Sequence, residues 1–416
     1  MEYGCIGHPI CHSFSSEIHT FLGESSYRLA DIAPEDLEQF LRKKDFLGIN
    51  VTIPYKQAVL PYLDEIDPIA EAVGAVNTIV RRGDRLIGYN TDVAGMQALL
   101  SDTGVSLKGK TVAILGTGGT AHTARYAVRL AGGIPLTVSR TPGKGDETYE
   151  TLGAIRKKIS FILNTTPCGM SPDLSGTPLA PAAFPCLAGV TDAVYRPLRT
   201  RLVQEAKALG IPARNGLYML AVQAVEAASL FYDRRYPEDT ARKIVRELLY
   251  RKENIVLTGM PSVGKTTVGR TLSMMLGRPF YDTDRMIEKQ TGRSVSDIFR
   301  RDGEAAFRAL EKSTIERLSP LNGVITATGG GSVLDPENMR LLAQNGCRVL
   351  LTAPLSRLSP SSDRPLSTDT ESLRRLAKER SELYRRSCDI VCETRETPEE
   401  TAKTILTMLY PERHPI

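Results

Sequence analysis

Concentrated charge, long apolar runs and closely paired cysteines are all missing from this chain of 416 residues. The net charge of +5 is mild for the length and gathers into no basic run, so nucleic acid is not an expected partner; small anionic ligands are. No stretch approaches the roughly 18 apolar residues of a membrane span, and no membrane association is expected. The start, Met-Glu-Tyr-Gly-Cys, has neither the basic nor the apolar region of a secretory signal. Seven cysteines form no C-x-x-C pair; together these features predict a reducing, cytoplasmic setting with buried or half-buried thiols, Cys388 and Cys392 standing at either end of a short strand. Repeats, low-complexity tracts and Gly/Ser- or Pro-rich linkers are absent too. What remains is an ordinary globular composition, 41% hydrophobic and 24% charged, long enough for two or three domains.

The strongest signal lies at residues 254–267, Asn-Ile-Val-Leu-Thr-Gly-Met-Pro-Ser-Val-Gly-Lys-Thr-Thr. A buried strand over 254–258 runs into G-x-x-x-x-G-K-[ST], with Gly259, Gly264, Lys265 and Thr266 in the required places, and a helix is expected from Thr267. Such a loop turns backbone N–H groups and a helix N-terminus toward phosphate. Beyond it a short strand over 278–284 carries two carboxylates. Asp282 is placed to organise magnesium with Thr266, and Asp284 either caps the helix 285–291 or faces a substrate hydroxyl. Arg308, on a helix over 304–311, has an ordinary alternative as a surface pair with Glu304 or Glu311. A strand over 324–328 ends in Gly329-Gly330-Gly331, which lets a ligand approach the backbone. The polar, proline-punctuated stretch 357–366 reads as a mobile cover, and the helix 373–386 carries Arg380.

The preceding 250 or so residues alternate strands and helices. A strand over 1–6 leads into a hydroxyl-rich loop, 7–16, that is either turn chemistry or a binding loop. A β-branched strand over 47–56 is stopped by Pro54 and carries Thr52 and Lys56. A third strand, 72–80, holds Asn77 in an apolar run, where a buried amide must find partners in protein or ligand. Asp92 precedes a helix over 93–100, for which an N-cap role is the simple alternative. A strand over 111–115 then meets Gly116-Thr-Gly118-Gly119-Thr120-Ala121 and an alanine-rich helix, the G-x-G-x-x-[GA] pattern of a dinucleotide site. After the next strand, where NAD sites carry a carboxylate, stand Ser139-Arg140-Thr141; a cation there suits the 2′-phosphate of NADP. Further strands over 161–164 and 189–193 argue for an open parallel sheet with its ligand off the C-terminal strand edges. The long helix opening at Asn215 places Gln223 in an apolar face.

Residues 1 to about 250 resemble shikimate dehydrogenase, on His12-Ser13-Phe-Ser15, Asn50-Val-Thr52-Ile-Pro-Tyr-Lys56, Gly74-Ala-Val-Asn77-Thr, Asn90-Thr-Asp92, Gly116-Thr-Gly-Gly119, and Gly216 through Met219 to Gln223. The resemblance implies reduction of 3-dehydroshikimate by NADPH, with Lys56 and Asp92 as the catalytic pair. Ser13, Ser15, Thr52, Asn77, Tyr195 and Gln223 would hold substrate. Gly116, Gly118, Gly119, Thr120, Ala121, Ser139, Arg140, Thr141 and Gly216 would hold the cofactor. Two departures are Ser16, where the family has proline, and Ser139, where it has asparagine. Residues 254 to about 411 resemble shikimate kinase, on the P-loop, Asp282-Thr-Asp284, Gly303-Glu-Ala-Ala-Phe-Arg308, Gly329-Gly-Gly331, Arg364-Pro-Leu and Arg380. That resemblance implies ATP and magnesium, the metal on Thr266 and Asp282, and nucleotide contacts from Gly259, Ser262, Gly264, Lys265, Thr266, Thr267, Arg357 and Arg364. Arg308 and Arg380 would clamp the shikimate carboxylate, Asp284 and Gly329–Gly331 its hydroxyls. Lys265 and Arg364 would neutralise charge on the transferring group, and Asp284 would orient the attacking hydroxyl and take its proton. Ser367 departs from the commoner leucine.

The expected architecture is α/β throughout. A substrate lobe spans 1–95, completed by helices at about 217–250; a Rossmann NADP lobe spans 96–216; a P-loop kinase domain with a parallel sheet spans 253–416. The sequence requires no protein partner. Three rivals stand against the bifunctional enzyme: a quinate-using or NAD-linked dehydrogenase, a kinase acting on nucleoside monophosphates, and a metabolite sensor without catalysis. A sensor should have lost Lys56, Asp92, Lys265 or Asp284, and all four are present.

Overall fold

A computed structural model describes the chain except residues 11–13, 25, 361–365, 367–368 and 414–416. Two compact units emerge, Met1–Glu247 and Leu248–Ile416. Among the described residues no helix is long and apolar enough to cross a membrane.

The first unit holds two six-stranded sheets. One is built from β1 (Tyr3–Gly7), β2 (Arg28–Asp31), β3 (Gly48–Val51), β4 (Glu65–Ile66), β5 (Thr78–Arg82) and β6 (Arg85–Tyr89), in the order β2-β1-β3-β5-β6-β4. It is mixed: β3–β5 and β5–β6 are antiparallel, the other pairs parallel. The other contains β7 (Thr111–Leu115), β8 (Ile134–Ser139), β9 (Glu147–Thr148), β10 (Ile159–Asn164), β11 (Gly189–Asp192) and β12 (Ala213–Arg214), ordered β12-β11-β10-β7-β8-β9 with every pair parallel. The order reverses beside β7, between β8 and β10, and that crevice is where an open α/β sheet takes its ligand. Along β7, Val112 and Ile114 enter one apolar cluster while Ala113 and Leu115 enter another, as a strand buried on both faces requires. Alanines at 121, 124 and 127 let the helix Gly119–Leu130 lie close on the first of these.

The second unit is a five-stranded parallel sheet of β13 (Asn254–Gly259), β14 (Phe280–Asp282), β15 (Ile325–Ala327), β16 (Gly346–Thr352) and β17 (Ile390–Glu393), ordered β14-β15-β13-β16-β17. The strand that feeds the P-loop is therefore central. All of its residues are buried, as its unbroken apolar run requires.

Several local expectations are corrected. Residues 72–80 are not one strand: Asp67 accepts from Ile69 N at 2.9 Å and Pro68 opens the helix Pro68–Val73. Gly74, at φ +70°, closes that helix, so β5 begins only at Thr78. The strand over 47–56 ends at Val51, before Pro54, because Thr52 turns the chain by accepting from Tyr55 N at 2.9 Å. Asp92 is not an N-cap; Thr91 holds that position and Asp92 is the first residue of the helix Asp92–Ser101. The cap of the helix Thr283–Thr291 is Asp282, not Asp284. Cys392 lies within β17, whereas Cys388 precedes it.

His19, in the helix Ser15–Phe21, is fully buried and stacks on Tyr27 with ring centroids 3.8 Å apart. Burial pushes its imidazole down to about 3. The depressed value means that His19 stabilises the fold above its ordinary value of 6.5, and that this contribution is lost as pH falls toward about 3. A His19→Phe chain keeps an aromatic stack without the titration. Urea unfolding at successive pH values should show its stability gaining on the parent below about pH 6.5, with a slope approaching 1.4 kcal/mol per pH unit at most. A pH-independent difference would contradict the assignment.

Candidate active sites

In the first unit the turn after β3 carries Lys56 to the start of the helix Asp92–Ser101. Lys56 Nζ lies 2.6 Å from Asp92 Oδ2, with side chains 14% and 7% exposed. A Cβ built on Gly119 would stand 3.3 Å from Lys56 Cβ and 3.4 Å from its Cδ, so the glycine-rich loop lies along the lysine stem. The Lys56–Asp92 pair and the glycine-rich loop are thus one locus. Gly95 lets the helix Leu217–Tyr232 cross closely, since a Cβ there would meet Met219 O at 2.6 Å and Gln223 Cβ at 3.3 Å. That crossing brings Gln223 to Asn77, whose Nδ2 donates to Gln223 Oε1 at 3.4 Å and to Thr91 Oγ1 at 3.0 Å. Thr52 is half-buried, its methyl facing Gly7, and Ser15 is buried at the first position of its helix. Tyr195 packs on Phe14 with centroids 5.5 Å apart. Ser13 lies outside the described residues.

The cofactor residues fit a dinucleotide. Gly116 has φ +111°, a conformation that favours glycine, and the space a Cβ of Gly118 would enter is open. Gly119 and Thr120 begin the helix, and buried Ala121 packs beneath it. Ser139 is buried and turned inward, its Oγ accepting from Thr141 N at 3.0 Å, while Arg140 is exposed. Close by, a cleft of about 470 Å³ is lined by Ala121, His122, Arg125 and Lys144; Lys144 was not singled out by sequence. Gly216 abuts β11, where a Cβ would lie 2.0 Å from Ala193 O. Asp192, at the end of β11, is buried and pushed up to about 7 by burial, against hydrogen bonds from Thr200 Oγ1 (2.6 Å), Val194 N (2.9 Å) and Asn164 Nδ2 (2.9 Å). Those bonds tie the segment bearing Tyr195 to β10.

In the second unit a cavity of about 270 Å³ gathers Ser262, Gly264, Lys265, Thr266, Thr267, Asp282, Asp284, Arg308, Gly329, Gly330, Gly331 and Arg380. Gly259, at φ +135°, lies where a Cβ would stand 2.4 Å from Leu351 O. Lys265 Nζ donates to the carbonyls of Gly259 and Met260, both at 2.8 Å, and Thr266 Oγ1 donates to Asp282 Oδ2 at 2.7 Å. A hydroxyl and a carboxylate side by side suit magnesium, which takes few protein oxygens and completes its shell with water and phosphate. Among the described residues no cluster of three or more His, Cys, Asp or Glu offers a metal cage.

The pairing of Arg308 differs from a surface ion pair. Its partner Glu304 is 46% exposed, but Glu311, 2.8 Å away, is fully buried and also accepts from Ser332 Oγ at 2.5 Å. The helix Val295–Leu318 is broken at Gly303, at φ +83° and ψ 171°, which redirects the half bearing Arg308. Gly331 makes room for the guanidinium, since a Cβ would lie 2.2 Å from Arg308 Nη2, and Gly329 makes room for Asp284 and Glu311, each 2.7 Å from its would-be Cβ. Arg380 is buried and donates from Nη1 to Gly330 O at 3.1 Å; its Nε has no hydrogen-bond partner among the described residues. Two guanidiniums facing one cavity, one with an unused buried donor, fit a carboxylate. Arg357 does not line this cavity: it points to the carbonyls of Thr394 and Arg395, 3.4 Å away. Residues 361–365 of the expected cover, Arg364 among them, lie outside the described residues.

Residues 5–79 match the family model of the shikimate dehydrogenase substrate binding domain, and residues 261–410 match that of shikimate kinase. The chain is 38% identical over 268 residues to the shikimate dehydrogenase (NADP(+)) of Symbiobacterium thermophilum, covering 58% of this chain and 91% of the relative. Among solved structures it resembles the shikimate 5-dehydrogenase of Thermus thermophilus in complex with NADP(H) and shikimate, at 34% identity and TM-score 0.54, over 59% of this chain and 99% of that one. A chorismate mutase/shikimate 5-dehydrogenase fusion from Clostridium acetobutylicum is similar at 30% identity and TM-score 0.55, over 59% and 96%. Both resemblances read from the motifs are borne out. Through its N-terminal half the chain belongs to the shikimate dehydrogenase family, and to that half it joins a domain of the shikimate kinase family.

Proposed function

We propose that this polypeptide catalyses two successive reactions, reduction of 3-dehydroshikimate to shikimate with NADPH and phosphorylation of the shikimate 3-hydroxyl with MgATP. We assign substrate recognition in the first reaction to residues 1–95 and 217–250, NADP to 96–216 and the kinase to 253–416. The reading is carried by the pairing of Lys56 with Asp92 at 2.6 Å directly against the dinucleotide loop. Bound NADPH supplies the hydride. Lys56 gives a proton to the C3 oxygen as it becomes a hydroxyl, and Asp92 orients the ammonium and takes part in the transfer. Ser13, Ser15, Thr52, Asn77, Tyr195 and Gln223 hold the carboxylate and hydroxyls. In the kinase, magnesium with the nucleotide neutralises phosphate charge. Lys265 turns from the loop carbonyls to the phosphates, Thr266 and Asp282 hold the metal, and Asp284 orients the attacking hydroxyl. Arg308 and Arg380 fix the substrate carboxylate, and Arg364 meets the transferring group.

Gly331→Ala tests the clamp without touching a charged group. A methyl carbon at 2.2 Å from Nη2 displaces Arg308, so kcat/KM for shikimate in the kinase reaction should fall about ten- to a hundredfold. KM for ATP should hold, as should the dehydrogenase rate. The wider function is tested by a substrate panel: NADPH against NADH, shikimate against quinate, and shikimate against nucleoside monophosphates as phosphoryl acceptors. Preference for NADH, quinate or a nucleotide would overturn the corresponding half of the reading.

A further inference from the structure

We propose that Tyr27 is a positioning residue for the dehydrogenase, acting through Asn50 and Thr78 to hold the Asn77 amide with its NH₂ toward the substrate. The inference rests on the reading of Asn77 and Gln223 as hydroxyl-binding groups. Its basis is a chain of buried hydrogen bonds that runs from Tyr27 through Asn50 and Thr78 to Asn77. The Tyr27 hydroxyl donates to Asn50 Oδ1 at 2.7 Å. With Oδ1 so engaged, Asn50 turns its Nδ2 the other way, donating to Thr78 Oγ1 at 3.0 Å. Thr78 Oγ1, which accepts that bond, has its own proton to give to Asn77 Oδ1, 3.1 Å away, with Thr91 Oγ1 at 3.2 Å beside it. Asn77 Oδ1 also receives Thr91 N at 2.8 Å. Donors from two sides make Oδ1 the acceptor, and Nδ2 donates to Thr91 Oγ1 at 3.0 Å and to Gln223 Oε1 at 3.4 Å.

Gln223 is set in the complementary sense, because its Nε2 donates to Leu220 O at 3.0 Å and its Oε1 is what faces Asn77. An amide NH₂ thus stands beside an amide carbonyl. A hydroxyl both donates and accepts, so this pair suits the hydroxyls of a polyol and not a carbonyl, which only accepts. Tyr27, Asn50, Thr78, Asn77, Thr91 and Gln223 are all buried, and in that low-dielectric setting a wrongly turned amide leaves polar groups unpaired. Tyr27 itself is held by the stacked ring of His19. Without its hydroxyl, only the Nδ2 bonds to Thr78 Oγ1 and, at 3.4 Å, to the Asn77 carbonyl oppose reversal of the Asn50 amide; once it reverses, Thr78 donates to Asn50, and Asn77 Oδ1 loses one of the donors that orient it.

The test is steady-state oxidation of shikimate by NADP⁺ in the full chain. Tyr27→Phe and the isosteric Thr78→Val should each raise KM for shikimate about five- to tenfold, with KM for NADP⁺ and kcat within about twofold. Thr78→Ser, which retains the hydroxyl, should return KM to within about twofold of the parent. In a double-mutant cycle, Tyr27→Phe should add no further loss to Asn77→Ala. An unchanged KM in both Tyr27→Phe and Thr78→Val, equal rises for shikimate and NADP⁺, or additive losses in the cycle would overturn the proposal while leaving the dehydrogenase reading intact. No oxidation of shikimate by the parent chain would overturn both. Should Tyr27→Phe fold poorly, Thr78→Val and its serine counterpart decide the matter.

Discussion

Lys56→Ala is expected to lower kcat for 3-dehydroshikimate reduction about 10²- to 10⁴-fold, the span usual for loss of a positioned proton donor, while KM moves far less. The geometry leaves little room for substitution: Nζ is 2.6 Å from Asp92, and both side chains are largely withdrawn from water. Its stem also lies against Gly119, so Lys56 and the glycine-rich loop share one wall. Alanine removes the donor, leaves Asp92 without its cation and withdraws the stem beyond Cβ from Gly119, while the Asn77–Gln223 contact is made by other residues. Stopped-flow and steady-state NADPH oxidation, run with the kinase assay on the same preparation, separate a chemical defect from misfolding, because kinase turnover should be unchanged. A rise in KM alone would show that Lys56 only binds substrate.

The second large effect is expected from Asp284→Asn, which should lower kinase kcat about 10²-fold or more with KM for ATP little altered. Asp284 lines the cavity with Lys265, Thr266, Arg308 and Arg380, and the would-be Cβ of Gly329 lies 2.7 Å from its Oδ1. Since Asp282, not Asp284, caps the helix Thr283–Thr291, the substitution spares the helix start. Asparagine keeps the shape and removes the negative charge that we propose orients the substrate hydroxyl. Quench-flow measurement of phosphoryl transfer would isolate the step; a normal rate there would remove Asp284 from the chemistry.

Much of this was legible because the groups that react sit in short, ordered strings. Gly-x-x-x-x-Gly-Lys-Thr carries its own strand and helix context, and the strand, loop and helix lie where the pattern puts them. The same holds for β7, the glycine turn and the helix Gly119–Leu130. What sequence misjudged depends on partners distant along the chain. A carboxylate before a helix is a cap by default, and without the dehydrogenase resemblance nothing local in the sequence joins Asp92 to Lys56, which the fold sets 2.6 Å away. A Glu three residues after an Arg on a helix reads as a solvated pair, whereas Glu311 is fully buried beneath Arg308. Residues 72–80 read as a strand because β-branched residues outweighed the Asp67-Pro68 start and Gly74 stop that divide them. The Tyr27–Asn50–Thr78–Asn77 chain had no signal of its own, since its members come from three separate segments joined by β1, β3 and β5. Arg357, which the kinase resemblance sets against the nucleotide, turns to the carbonyls beyond β17.

The most direct measurement follows one sample from 3-dehydroshikimate, with NADPH and MgATP present, by NADPH absorbance and by mass spectrometry of the products. The intact chain should consume NADPH and accumulate shikimate 3-phosphate. Lys56→Ala should stop at the starting compound yet phosphorylate added shikimate, and Asp284→Asn should stop at shikimate. Failure of the intact chain to form the phosphate, or formation of it from 3-dehydroshikimate by Lys56→Ala at the parent rate, would contradict the account.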